Sequence, residues 1–183
     1  MTERQVFEAI CRQMYVSVGG MMKAVPMAIA FALFSAGITY VIMSICCANY
    51  KKKMNLVFGI SYIAFLIHMT IISRITMKHI EIDIIPFNTP GGWYLVLIYA
   101  LANCIVFVPL GIILTNMFTM KKIKEISLYG MTVSIFIELA QLLSKRGVCQ
   151  LEDVIMNTLG VAIGCIIYRI MENKKRGKHE STE

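Results

Sequence analysis

The sequence predicts an all-α, polytopic membrane protein of about five transmembrane helices, preceded by an N-terminal amphipathic interfacial helix. Three observations predict it. Apolar residues make up 57% of the 183-residue chain and charged residues only 16%, whereas a soluble domain carries about a quarter. The mean hydropathy is +0.68. The charges are clustered, and the uncharged runs between them approach the ~20 residues that cross a bilayer core of ~30 Å.

The elements follow in order. Over residues 1–24, Val6, Phe7, Ile10, Met14 and Val18 recur at helical spacing, with Gln5, Arg12 and Gln13 between them. That pattern suits a helix lying in the membrane interface; a polar tail is the plainer alternative. Glu3, Arg4, Glu8, Arg12 and Lys23 interrupt the apolar core that a cleavable signal peptide needs. The first span is therefore expected to serve as an uncleaved anchor. Apolar runs cover about Pro26 to Ala48, Met54 to Ser73, Tyr94 to Phe118, Ile126 to Leu143, and Val154 to Met171. Residues 25–172 are read as one transmembrane domain, and 173–183 as a basic tail expected to lack structure.

Orientation comes from the connections. Lys51, Lys52 and Lys53 join spans one and two; Lys121, Lys122 and Lys124 join three and four. Arg169, Lys174, Lys175, Arg176 and Lys178 follow span five. Basic residues are retained on the cytoplasmic side, so the N-terminus is expected outside and the C-terminus in the cytoplasm. The net charge of +7 has the same origin, and no nucleic-acid partner is expected. Cys11, Cys46, Cys47, Cys104, Cys149 and Cys165 form no CxxC pair and no zinc spacing with His. Most sit in apolar runs as small hydrophobes. No metal or other cofactor is expected. A Cys11–Cys149 disulfide would join two outer segments, but spacing gives it no support.

Two outer loops carry the information. In the loop from Arg74 to Trp93, Ile80, Ile82 and Ile84 alternate with Glu81 and Asp83, a strand-like pattern. The other runs from Ser144 to Asp153. On span four, Ser134, Glu138, Gln141 and Lys145 share one helical face. A carboxylate as deep as Glu138 needs a partner or a cavity; a tie between helices would satisfy it as well as a ligand. On span five, Asp153, Asn157, Gly160 and Gly164 share a face. The GxxxG pair permits close helix approach, while Asp153 can equally cap the helix N-terminus. Asn103 and Pro109 mark span three, and Pro109 is expected to disturb its helix. Arg74 and Arg146 lie at the outer ends of spans two and four, where they can pair with a carboxylate, bind phosphate or snorkel to headgroups.

These residues resemble a family. Ile84-Ile85-Pro86-Phe87 is similar to its Asn-Leu-Ile-Pro-Phe element. Asn103 through Phe107 and Pro109-Leu110-Gly111 resemble N-x-x-x-F-x-P-L-G, and Ser134 through Glu138 to Gln141 resembles S-x-x-I-E-x-x-Q. Arg146-Gly147 through Glu152-Asp153 to Asn157-Thr158-Leu159-Gly160 resembles R-G-x-x-[DE]-x-D-D-x-x-x-N-T-x-G. By these motifs, spread over about residues 74–168, the chain looks like a member of the VanZ-like family of bacterial membrane proteins. It departs from the pattern at Gln150, where an acidic residue is common, at Glu152, where Asp is usual, and at Asp83 in the loop element.

The resemblance implies a role in the Gram-positive cell envelope, associated with low-level resistance to teicoplanin-type lipoglycopeptides. Three functions compete. The first is a non-enzymatic protein that binds lipid-linked cell-wall precursors or lipoglycopeptide, or alters their access to the outer leaflet. Its binding residues would be Arg74, Pro86, Phe87, Asn103, Glu138, Gln141, Arg146, Glu152, Asp153 and Asn157, with membrane lipids as partners. The second is an enzyme on a lipid-linked phosphate or acyl substrate, with Glu138 or Asp153 as catalytic base and Arg146 as anion clamp. His68 and His79 lack an evident nucleophile partner. The third is a small transporter or flippase, for which a homodimer would be needed to complete a path.

Overall fold

The computed structural model describes residues 3–46, 49–74, 82–83, 85, 93–118, 122–146 and 148–180, with backbone alone at 3–22, 51, 93–95 and 178–180. The fold is all-α, and among the described residues five helices are long and apolar enough to cross a membrane. They are α1 (Glu3–Cys46), α2 (Tyr50–Ile67), α3 (Trp93–Met117), α4 (Ile123–Ser144) and α5 (Leu151–Glu180). A π-helical turn, His68–Ile72, continues α2. Two short strands, β1 (Ile82–Asp83) and β2 (Cys149–Gln150), pair in parallel, Ile82 with Cys149 and Asp83 with Gln150. The alternation in the loop between α2 and α3 thus contains a strand, and its partner lies in the loop between α4 and α5.

The spans start and end within a few residues of their expected places. Two ends differ more. The N-terminal segment is helical as its spacing predicts, but it runs without a break into the first span as part of α1. Pro26 lies inside that helix and removes one backbone donor, yet a helix entering a bilayer has no water to reward an open end. The basic tail, expected to be unstructured, continues α5 to Glu180. Arg176 and Glu172, one turn apart and 2.7 Å from each other, form the i,i+4 pair that favours helix. Basic side chains also suit a helix C-terminus.

The packing centre is α5, which lies most closely against α3 and then against α4; α1 lies on α2 and its π turn. Small residues make the α3–α5 contact possible. A Cβ at Gly160 would run into the Cys104 carbonyl, one at Gly164 into the Val108 carbonyl, and one at Gly111 into the Val161 carbonyl. The two backbones meet directly, as the GxxxG spacing predicts. Phe107, Leu110, Ile126, Val161 and Cys165 pack around this contact with Leu66 from α2. Tyr62 donates from α2 to the Val106 carbonyl at 2.5 Å, in the turn of α3 that precedes Pro109.

At the end of the bundle away from the strands, Asn116 donates to Asn55 Oδ1 at 2.9 Å and accepts from the Tyr168 hydroxyl at 2.8 Å. This ties α2, α3 and α5 together. In the connection from α1 to α2, the Lys53 ammonium stands over the Tyr40 and Tyr50 rings, 4.8 Å and 5.7 Å from their centres. Asn49 caps α2, its Oδ1 accepting from the Lys52 N–H at 3.0 Å.

At the other end, α4 closes with a Schellman turn. The Lys145 N–H bonds the Leu142 carbonyl at 3.2 Å and the Arg146 N–H bonds the Gln141 carbonyl at 3.0 Å. Lys145 holds φ 54° in this turn, a left-handed position where glycine is favoured. Lys145→Gly is therefore expected to stabilise the protein by about 1 kcal/mol, read as a higher midpoint of thermal unfolding in detergent.

Candidate functional site

The strand end of the bundle gathers the polar residues. Helix α4 presents Ser134, Glu138 and Gln141, all at or below 3% exposure, and α5 presents Glu152, Asp153 and Asn157, all at or below 5%. Hydrogen bonds set the register of these antiparallel helices. Asn157 Nδ2 donates to Ser134 Oγ at 2.8 Å. One turn nearer the strands on each helix stand Glu138 and Asp153, within electrostatic reach of each other. Gln141 lies a further turn out.

Each carboxylate takes a donor from a different element. Glu138 Oε2 accepts from the Gln150 N–H of β2 at 3.1 Å. Asp153 Oδ1 accepts from Asn103 Nδ2 of α3 at 2.5 Å. Asp153 therefore reaches across to α3 and is more than a helix cap. The half-buried Arg74 lies within electrostatic reach of both carboxylates. A positive charge there offsets two negative charges that burial alone would make costly.

The π turn of α2 completes the frame. The Arg74 N–H bonds Ile71 at 3.3 Å rather than the Thr70 carbonyl four residues back, which leaves Thr70 open. Gln141 Nε2 donates to that carbonyl at 2.7 Å, and Arg146 Nη1 donates to the Ile72 carbonyl at 2.8 Å. Irregular backbone in a membrane is tolerated where protein groups re-satisfy it. Gln141 and Arg146 thus dock α4 onto the end of α2.

Of the residues singled out from sequence, Asn103, Ser134, Glu138, Asp153 and Asn157 come together directly, with Arg74 nearby and Glu152 buried beside Asp153. Pro86 and Phe87 lie outside the described residues, as does His79. Three contributors had no signal in the sequence. They are the Gln150 N–H, the open carbonyls of the π turn, and Cys149. The Cys149 thiol lies within electrostatic reach of Glu138 and is free; Cys11, its suggested disulfide partner, lies outside the described side chains. Among the described residues no three His, Cys, Asp or Glu side chains come together at metal-binding distance.

Burial pushes the Cys149 thiol above its ordinary range, and the charge of Glu138 pushes it further. The thiolate is the reactive form. Maleimide labelling of Cys149 is therefore expected to be slow at pH 7, to rise about tenfold per pH unit toward alkaline pH, and to quicken in Glu138→Gln. Equal rates in the two proteins at pH 7 would remove Glu138 as a cause.

A family model described as VanZ/LLP1 matches residues 28–172, from the first span to the end of the fifth. The match contains every described residue of the cluster. No curated protein and no solved structure matches the chain.

Proposed function

The chain belongs to the VanZ/LLP1 family, and on that premise we propose that its strand-end cluster binds the headgroup of a lipid-linked cell-wall component. By holding that component or altering access to it, the protein lowers susceptibility to teicoplanin-type lipoglycopeptides. One observation carries the reading. Glu138 and Asp153 are buried at a single end of the bundle, on different helices, each held by a donor from a third element. Ionisable groups at such depth mark function more often than packing. The excess of Lys and Arg in the α1–α2 and α3–α4 connections and at the end of α5 supports an orientation with the cluster on the extracytoplasmic face, where the lipoglycopeptide target lies.

A catalytic role has weaker support. Cys149 is a nucleophile type close to Glu138, and its surroundings favour the unreactive thiol form.

Two measurements test the proposal. Expression in a susceptible Gram-positive host is expected to raise the inhibitory concentration of teicoplanin, and Glu138→Gln with Asp153→Asn is expected to abolish the rise. A double variant with full effect would remove the carboxylates from the function. Lipid II binding to the protein in nanodiscs is the second readout, and its absence together with unchanged susceptibility would overturn the proposal. Labelling of Cys149 by an impermeant maleimide on intact cells reports the orientation.

A further inference from the structure

The hydrogen bonds of the cluster leave buried acceptors over. Each of three side-chain amides that line it donates one bond to the protein: Asn103 to Asp153, Asn157 to Ser134, and Gln141 to Thr70. Two acceptors remain. Gln141 Oε1 and Asn157 Oδ1 are fully buried with no partner among the described residues, in side chains exposed by 1% and 4%. An orphaned buried acceptor is costly, and native proteins rarely leave one unmade. By the register of α4 and α5, these oxygens bracket the Glu138–Asp153 pair, one helical turn above it and one below.

Arg74 balances one of the two carboxylate charges, so a group that completes such a site must bring donors and one further positive charge. An ionised phosphate brings neither. Resting on the headgroup-binding reading, we propose that the cluster takes a primary ammonium group. Its N–H bonds would go to Glu138 and Asp153, with the orphaned amide oxygens as flanking acceptors. The ammonium has three donors and no acceptor, which suits carboxylates and buried acceptors in sign. Two carboxylates close together in a medium of low dielectric also gain more from a shared cation than either would alone. The ammonium can belong to an aminated lipid headgroup or to an amine dissolved in the aqueous phase.

The test uses the full-length protein in nanodiscs of phosphatidylglycerol mixed with equal parts phosphatidylethanolamine and phosphatidylcholine. Native mass spectrometry reads the lipids retained. Phosphatidylethanolamine is expected to be retained about tenfold over phosphatidylcholine, whose methylated nitrogen lacks donors; that ratio corresponds to one charge-assisted hydrogen bond. In pure phosphatidylglycerol, millimolar ethanolamine is expected to raise the unfolding temperature. A rise without lipid preference would assign the site to a soluble amine. Equal retention of the two lipids with no effect of ethanolamine would overturn the inference and leave the orphaned oxygens to buried water. The wild-type comparison needs no variant to fold; Glu138→Gln, near in shape, is expected to flatten the preference. The headgroup-binding reading fails separately, on lipid II binding and teicoplanin susceptibility.

Discussion

Gly160→Val is expected to prevent α3 and α5 from packing, with loss of the folded protein from detergent extracts. Even the first carbon of a side chain at Gly160 would overlap the Cys104 carbonyl oxygen, and it would also press on the Phe107 Cβ. The obstacle is backbone, which cannot rotate away as a side-chain tip can. Gly164 faces the Val108 carbonyl and Gly111 faces the Val161 carbonyl in the same manner, so a shift that relieves one contact tightens another. Overpacking of a core costs about 1–3 kcal/mol when side chains can adjust; here the cost is expected at or above the upper end of that range. Gly37→Ala is the control. A Cβ there meets nothing within 4 Å, and alanine in a helix is expected to be neutral or favourable by roughly 0.5–1 kcal/mol. Thermal unfolding followed by circular dichroism separates the two. Equal melting of Gly160→Ala and the parent protein would refute the close-contact account.

The second large effect is expected at Asn103. Asn103→Leu removes the donor that holds Asp153 and leaves a carboxylate, 5% exposed, facing apolar carbon. Hydrogen bonds to charged groups contribute about 1.5–3 kcal/mol, and the unpaired group adds its own desolvation cost, so a loss of about 3 kcal/mol is expected. Adding Asp153→Asn removes the charge. The double variant is expected to be more stable than Asn103→Leu alone, because a neutral amide is less costly to bury than an ion. Additive losses in this double-mutant cycle would show that the two side chains act independently.

Both effects rest on features that differ in how far the sequence discloses them. The glycine spacing on α5 is legible because a helix repeats every 3.6 residues, which puts Gly160 and Gly164 on one face. The face of α4 bearing Ser134, Glu138 and Gln141 is legible for the same reason. The partner of each residue is another matter. Nothing local to Asp153 marks Asn103, fifty positions earlier. Nothing local to Gln141 marks the Thr70 carbonyl, since that acceptor is left open where the chain leaves the π turn and the Arg74 N–H bonds Ile71. By sequence Cys149 is a loop cysteine with a disulfide to Cys11 as its suggested role; β2 places it beside Glu138 instead. The strands span two residues each among those described, too few to leave a full periodic trace, and Ile82 and Asp83 of the predicted alternation pair with Cys149 and Gln150. The α5 extension went unforeseen because charge alone does not distinguish a solvated helix from a solvated coil.

What the sequence determined by itself is the solvent of this protein and the faces of its helices. Long uncharged runs must sit in lipid, where only helices satisfy their backbone, and helical periodicity sorts the polar residues onto shared stripes. What only the tertiary structure decided is which stripes face one another, at what height, and which hydrogen-bonding groups are left over. Those outcomes depend on backbone approach at Gly160 and Gly164, on the π turn, and on the pairing of two strands distant in the chain. The buried oxygens of Gln141 and Asn157 are such a remainder, visible only once the tertiary partners of both amides are known.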